Sequence, residues 1–511
     1  MTSTSANATS LVPSATSTLS SLVSSVTDSL VTSAAAATDI PPPYVPILSY
    51  NNSPSETGGD SLIEDLTIYY DTDVSRSAPS NRYFYSGLAR RKSALSLILL
   101  SMFSTGIVGF QWVLWGYSLT FSHSGGPFIG TLENIGFRNV LGQPCVGSPK
   151  VPDLLFAIYQ GMFAAITPAL AVGAATDRGR LLPACVFIFV WATLIYDPIA
   201  FWAWNPKGWL AKLGYLDFAG GTPVHMAAGS AALAYSVMLG KRHGYNKVHG
   251  LPYRPHNVTH VILGTVFLWV GWFGFNGGSA LSASMRAIMA CVVTHTAASV
   301  SAMTWCFMDM RLDGKMSAVG FCSGAVVGLV AITPGSGFVP VWASIIFGVV
   351  VGVISNLATK LKYYMSVDDS IDIFASHCVA GFVGNVLTAF FAADYIAHLD
   401  GYTSIKGGWL NGHYIQLGYQ LAGSAAGLGY SFIGTCVILF FINLIPGLTI
   451  RCDLESEIGG LDAAECGEFA YDYVEVTRES PMMDIEGVDG GSSAGGDTLA
   501  IEKMAKDTAS A

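Results

Sequence analysis

Charge is what this chain has least of. Only 12% of its 511 residues are Asp, Glu, Lys or Arg, against 51% apolar residues and a mean hydropathy of +0.48. A soluble domain carries about a quarter charged residues, so the shortage excludes an ordinary water-soluble body and points to one embedded in lipid. Patterned cysteine is also missing. The nine cysteines are scattered, most of them inside apolar runs, with no CxxC pair or zinc spacing. That argues against a disulfide framework or a metal site, and the thiols read as buried packing groups. No sequence feature calls for a cofactor. A basic surface is absent too: the formal net charge is −10, with acids gathered in the tail from Asp453 through Asp507. Nucleic acid is therefore not an expected partner.

Residues 1–60 are rich in Ser, Thr, Ala and Pro and show no helical period, which reads as a disordered arm. The arm lacks the basic start and compact apolar core of a signal peptide. Asn7-Ala8-Thr9 and Asn51-Asn52-Ser53 fit the glycosylation triplet, which matters only if the arm faces outward.

What is present is a series of long apolar runs, near 93–121, 152–176, 181–203, 217–240, 257–281, 285–308, 316–333, 339–358, 371–396 and 419–447. Each is long enough, or nearly so, to cross a bilayer as a helix of about 20 residues. Backbone groups cannot stay unpaired in lipid, so the runs must be helices packed on one another. Abundant Gly, Ala and Ser within them suits close helix contacts.

Positive charge alternates between connections. Arg90-Arg91-Lys92, Arg178/Arg180, Lys241/Arg242/Lys247/Arg254, Arg311/Lys315, Lys360/Lys362 and Arg451 fall on one side. The other side holds only Arg138, Lys150, Lys207, Lys212, Arg286 and Lys406. Because Lys and Arg favour the cytoplasmic face, the first run goes from inside to outside and the C-terminal tail lies inside.

A faint internal symmetry accompanies this alternation. Ile166-Thr167-Pro168 in the second run is echoed by Ile332-Thr333-Pro334 in the seventh, and an Asp precedes a His at Asp217/His225 and again at Asp372/His377. Members of each pair lie five runs apart and so point in opposite directions, the mark of an inverted repeat with its site near the midplane. Asp217 opens its helix as an N-cap. Eight residues at 1.5 Å each place His225 roughly 12 Å deeper, and five place His377 roughly 7.5 Å in from the opposite face. The two imidazoles can therefore meet inside the membrane, where an ionisable residue is functional by default. A single buried His, such as His295, reads instead as a neutral group bonded to a neighbouring helix.

Aromatic residues form a second constellation: Phe163, Trp204, Trp272 and Phe275. They serve either as interface anchors and packing or, for Trp204 at the outer end of its run, as a ring face offered to a cation. Ser279 and Gln160 add hydrogen-bonding groups nearby, or simply small polar helix contacts.

The strings QGMFAAITPAL (160–170), DFAGGTPVHMAAGSAALAYSVMLGKR (217–242), GWFGFNGGSA (271–280), GFCSGAVVGLVAITPGSGFV (320–339) and DDSIDIFASHCVAGFVGNVLTAFFA (368–392) closely resemble the Amt/Mep/Rh ammonium transporters over about residues 83–475. Gly459-Gly460-Leu461-Asp462 and Gly467-Glu468-Phe469-Ala470-Tyr471 look like that family's cytosolic tail, in a form similar to the fungal methylammonium permeases. His225 is retained where another fungal subgroup carries Glu. The resemblance implies a transporter rather than an enzyme, moving ammonium and methylammonium as a homotrimer in the plasma membrane, with one pore per subunit. It implies recruitment by Phe163, Trp204 and Ser279, a gate of Phe163 and Phe275, and a pore lined by His225 and His377. Asp217 would support recruitment and deprotonation, and Trp272 would pack along the pore wall. Potassium, which cannot shed a proton, would be refused. A water or gas channel fits less well, because Asp217 and Trp204 suit a cation at the mouth.

The expected fold is all-α, a polytopic membrane helix bundle with inverted five-helix repeats plus a final long helix. The expected division is an arm over 1–82, a membrane domain over 83–450 and an acidic, cytosolic regulatory tail over 451–511. The tail carries Thr477, Ser480-Pro481 and Ser492-Ser493, where a kinase would add charge. A sensor signalling through this tail is the alternative function.

One departure from the family stands out. It has eleven spans, the first ending in a motif like FYSGLARRK (84–92), yet the stretch before that motif carries Asp60, Glu64, Asp65, Asp71, Asp73 and Arg76. Such charges are costly at the bilayer core, so ten spans are expected. A mispredicted exon is favoured over a true loss of the helix, since the motif resumes abruptly and intact.

Overall fold

A computed structural model describes residues 83–245 and 254–471. The arm over 1–82, the first-helix question, both glycosylation triplets and the tail sites beyond Tyr471 lie outside the described residues. Within them the chain is helical, without strands, and ten helical segments match the ten apolar runs. They are α1 Arg91–Phe121, α2 Asp153–Ala175, α3 Leu181–Leu213, α4 Gly221–Met226 continuing as Ala227–Leu239, and α5 Val258–Ala280. The series continues with α6 Met285–Asp313, α7 Ala318–Ile332, α8 Val341–Met365, α9 Phe374–Phe391 and α10 Gln416–Leu444. Eight are long and apolar enough to span by themselves; α7 is a shorter apolar helix, and α4 is not among the eight. A further helical turn covers 83–88, just ahead of α1.

Small residues set how closely these helices approach. A Cβ added to Gly324 of α7 would lie 2.8 Å from the Ala302 Cα of α6, and one on Gly328 2.8 Å from the Ala298 Cα. Two glycines four residues apart thus bring α7 directly onto the α6 backbone, the small-xxx-small logic of membrane packing. Apolar side chains such as Phe110, Ile288, Phe307, Ile433 and Phe441 stay exposed on outward faces, as lipid contact requires.

The two repeats correspond in detail. Thr167 Oγ1 donates to Phe163 O (2.7 Å) and Thr333 Oγ1 to Leu329 O (2.8 Å), so each Ile-Thr-Pro returns its hydroxyl to its own helix. Both histidines sit in a π-helical turn opening their helices, Gly221–Met226 and Phe374–Val379. Four residues past each histidine is a glycine facing the other repeat. A Cβ on Gly229 would meet Cys378 N at 2.4 Å, and one on Gly381 would meet Gly221 O at 3.0 Å.

The pairing of Asp372 with Asp217 is corrected by the structure. Asp217 accepts the N–H groups of Gly220, Gly221 and Thr222 at 2.9, 2.7 and 2.7 Å. In the second repeat the carboxylate that accepts the Phe374 N–H, at 2.9 Å, is Asp369. Asp369 lies eight residues before His377, as Asp217 does before His225. Asp372 instead corresponds to Gly220: each stands three residues past its capping Asp, and both are left-handed, with φ of 57° and 113°. Its carboxylate turns away to Lys362 Nζ at 2.7 Å. The depth estimates change for the same reason: residues 217–220 are not helical, so the count of α-helical rises does not apply there.

At the end of the bundle holding the predicted cytoplasmic connections, basic loop residues are paired with acids. Arg242 bridges Asp177 and Asp368, at 2.7 Å each, and Arg90 joins Asp177 at 2.9 Å. Burial alone would raise both carboxyls. Arg242, with Arg90 at Asp177 and Arg178 at Asp368, outweighs it and holds them below the ordinary carboxylate range. The tail folds over this end. Asp462 accepts the Leu95 and Ser96 N–H groups in the first turns of α1, and Glu465 accepts the Leu181 N–H opening α3. Each carboxylate caps a helix N-terminus, where unpaired N–H groups and the dipole both favour a negative charge.

Candidate functional site

The site is a column of rings running through the bundle where the two repeats meet. It starts at the end opposite the charged loops, in a cavity of about 170 Å³ lined by Gln160, Phe163, Trp204, Phe218 and Ser279, among others. Trp204 is held by its indole N–H, which donates to Asp217 O at 3.0 Å. Ser279 Oγ bonds Phe275 O at 2.9 Å and lies 3.1 Å from Tyr159 OH. Each of these polar groups is therefore oriented by a partner outside the cavity.

Below the cavity Phe163 and Phe275 pack with centroids 4.4 Å apart, both essentially inaccessible to solvent. Phe163 also meets Trp204 edge-on at 5.9 Å. Phe275 stacks on His225 at 5.6 Å, and Trp272 lies parallel to both, 5.4 Å from His225 and 4.9 Å from Phe275. The Trp272 indole is pinned by Thr333 Oγ1 at 3.0 Å. The Thr of the second Ile-Thr-Pro thus fixes a ring beside the histidine of the first repeat.

His225 and His377 then stack with centroids 5.4 Å apart, their Nδ1 atoms 3.3 Å apart. His377 Nε2 lies 2.5 Å from the Tyr85 hydroxyl, while His225 Nε2 is buried with no hydrogen-bonding partner among the described residues. A bond between two Nδ1 atoms requires one protonated and one bare nitrogen. The chain reads consistently in either direction. Tyr85 O–H can donate to His377 Nε2 and His377 Nδ1–H to His225 Nδ1; alternatively, every donor and acceptor exchanges. Interconverting the two readings moves a proton along the row without moving a heavy atom. At the far end lies a second cavity of about 280 Å³, lined by Arg242, Lys362, Asp372 and Ser376 among others.

Seven of the eight expected residues, Phe163, Trp204, His225, Trp272, Phe275, Ser279 and His377, fall along this column. Asp217 stands behind it: buried, with its carboxylate occupied by three backbone N–H groups and the Tyr215 hydroxyl at 3.3 Å. It builds the turn that aims His225 and does not line the outer cavity. His295 is exposed on α6 against Trp269 and Phe273, away from the site. Tyr85, Phe218 and Asp369 were assigned no part in the site by sequence reasoning. Only Asp369 left a usable signal, the shared eight-residue Asp–His interval.

These features define a polytopic helical membrane protein with a buried histidine pair at the junction of two inverted repeats. Residues 74–471 match the profile of the Ammonium Transporter Family. The chain belongs to that family. It is 56% identical to ammonium transporter 1 of Schizosaccharomyces pombe over 87% of this chain and 92% of that one. It is 49% identical to ammonium transporter MEP2 of Saccharomyces cerevisiae over 81% and 87%. The crystal structure of Candida albicans Mep2, 47% identical, superimposes with a TM-score of 0.75 over 79% of this chain and 88% of that chain.

Proposed function

We propose that the column conducts ammonium nitrogen as ammonia while its proton travels through His225 and His377. Ammonium or methylammonium enters the 170 Å³ cavity and rests against Trp204 and Phe163, with Ser279 and Gln160 as hydrogen-bonding partners. A cation on a desolvated aromatic face gains about 2 kcal/mol or more. Below the stacked phenylalanines a bare cation is far costlier, so proton loss at the gate lowers the barrier. His225 Nε2 takes up the proton, the bonded row passes it on, and neutral ammonia moves along the rings. Imidazole suits this task because one ring nitrogen can take up a proton while the other gives one up. The observation that carries the reading is the direct Nδ1–Nδ1 contact beneath a closed aromatic gate.

The basic connections and exposed apolar faces support a multi-pass membrane protein with a cytosolic C-terminus, and the family resemblance supports a homotrimer in the plasma membrane. Labelled methylammonium uptake in cells lacking their own permeases tests the assignment. Absence of uptake by a correctly localised trimer would refute it.

A second reading, an ammonium sensor, draws support from the tail. Asp462 and Glu465 cap α1 and α3, and the Tyr471 hydroxyl lies within 3.3 Å of nitrogens on His256, Asn257 and His260. A kinase acting on the tail beyond Tyr471 would then report through these contacts. If deletion beyond residue 476 leaves uptake and ammonium-dependent signalling unchanged, the sensor reading fails.

A further inference from the structure

Arg286 is a buried cation beside the mouth of the column, and the proposed mechanism does not use it. It opens α6 and is only 6% exposed. Its Nε donates to Gly337 O at 2.9 Å, and its Nη1 donates to Asp400 Oδ2 at 2.9 Å and Thr403 Oγ1 at 3.0 Å. Its guanidinium carbon lies 4.9 Å from the Phe218 centroid and 5.0 Å from that of Phe338. These two rings meet edge-on at 5.6 Å. Phe218 is the residue after Asp217, its N–H is tied to Pro334 O at 3.0 Å, and its ring lines the outer cavity. A Cβ on Gly337 would lie 2.1 Å from Phe218 Cε2, so that side of the ring is backed by bare backbone. Phe218 is thus gripped by Gly337, Phe338 and the guanidinium.

We propose that Arg286 is a positioning residue that holds Phe218 as the fixed wall of the outer cation site, setting its preference for ammonium over larger alkylammonium ions. The inference rests on the reading of that cavity as the recruitment site. An aliphatic side chain would pack the same rings without burying a charge, which is costly unless fully paired. What guanidinium adds is a planar fork that fixes its orientation through Asp400 and Thr403, and a flat face that fixes the ring. It also engages the Phe218 π-system, the feature a substrate cation would otherwise seek. A cation in the cavity then finds its aromatic partners in Trp204 and Phe163, and Phe218 remains the apolar surface that meets any alkyl group.

The test is uptake by the full-length chain in permease-deficient cells, at matched surface amounts, comparing Arg286→Lys, the charge-neutral pair Arg286→Met with Asp400→Asn, Phe218→Leu and Trp204→Leu. Labelled methylammonium gives KM and Vmax, and competition by ammonium and ethylammonium gives selectivity. Arg286→Lys keeps the charge but loses the flat stack. It is expected to weaken ammonium about fivefold, to narrow the gap between ammonium and ethylammonium, and to leave Vmax within about twofold. The neutral pair and Phe218→Leu should shift selectivity the same way. Should the arginine variants fail to reach the membrane, Phe218→Leu decides, because it leaves the Arg286–Asp400 pair intact. Unchanged KM and selectivity in the variants that reach the surface, or a fall in Vmax alone, overturns the proposal. An effect of Trp204→Leu on KM without one from the others sinks this inference only; no effect from Trp204→Leu sinks the recruitment-site reading itself.

Discussion

The two mouths of this column are built from different materials. Rings shape the outer one: Phe163, Trp204 and Phe218 define its cavity, and one buried ion pair, Arg286–Asp400, stands behind the wall. The inner one is shaped by charge: the buried Asp177, Arg242 and Asp368 form a connected network with the half-buried Arg90, and acidic tail residues cap the helices beside it. Rings attract a cation without offering it a proton acceptor, whereas fully paired charges fix loops without presenting a net field. The difference suggests that the outer mouth selects and the inner mouth locks. Between them the histidine pair belongs to both repeats equally.

The largest effect should come from breaking that shared centre. His377→Ala removes the hydrogen-bonding partner of Tyr85 and that of His225 together. Positioned proton transfer contributes about 10²–10⁴-fold, so methylammonium uptake should fall by about 10²-fold or more while surface amount and outer-site competition by ammonium persist. Retention of more than half the uptake would remove the histidine relay.

Next in size is a test of the inner mouth as a lock. Arg242→Met leaves Asp177 with Arg90 at 2.9 Å and Asp368 with Arg178 at 4.0 Å as their remaining cations, so the loss should approach about 3–5 kcal/mol, the cost typical of breaking a buried pair. Purified protein should unfold at markedly lower temperature, with the tail and the charged loops coming free before the helices separate. Removing both charges of the outer pair, as in the Arg286/Asp400 double variant, should cost less, because no unpaired charge remains.

Acid offers a milder probe of the same contrast. Asp177 and Asp368 are held below the ordinary 3.8 in the folded chain. The stability they contribute is therefore complete above about 3.8 and is lost as pH falls through their folded values. In detergent, protection at residues 177–180 and 366–370 should fail in that window, while the stacked Phe163 and Phe275, which carry no titratable group, keep theirs. Simultaneous loss at those two rings would show that the ring stack and the inner mouth are not separately stabilised.

What could be read from the sequence follows this contrast as well. The ten helices came from local apolar length, and the aromatic column came from motifs in which each residue carries its own chemical signature. Arg178, Arg242 and Arg451 were legible as loop charges, but their partners were not. Arg242 finds Asp177 and Asp368 across 65 and 126 residues of chain, and nothing local announces such partners. Asp372 drew attention by standing nearer to His377. The backbone turn that makes Asp369 the cap depends on a left-handed residue at 372, which composition does not reveal. Tyr85 lay inside a quoted motif, yet its hydroxyl reaches His377 only through packing against α9.

The smallest expected effect tests whether the inner lock extends into the tail. Tyr471 places its hydroxyl 3.1 Å from His260 Nδ1 and 3.3 Å from both His256 Nε2 and Asn257 Nδ2. Tyr471→Phe removes that shared hydrogen-bonding centre and keeps the ring packing, with centroids 5.6 and 6.1 Å from the two imidazoles. The loss should be about 1 kcal/mol, too little to unfold anything but enough to raise amide exchange at residues 462–471 about fivefold. Exchange around Phe163 and Phe275 should stay unchanged, since the Tyr471 hydroxyl bonds to His256, Asn257 and His260 and not to the rings of the column. If those amides also speed up, the tail acts on the gate itself, and selection and locking are one device instead of two.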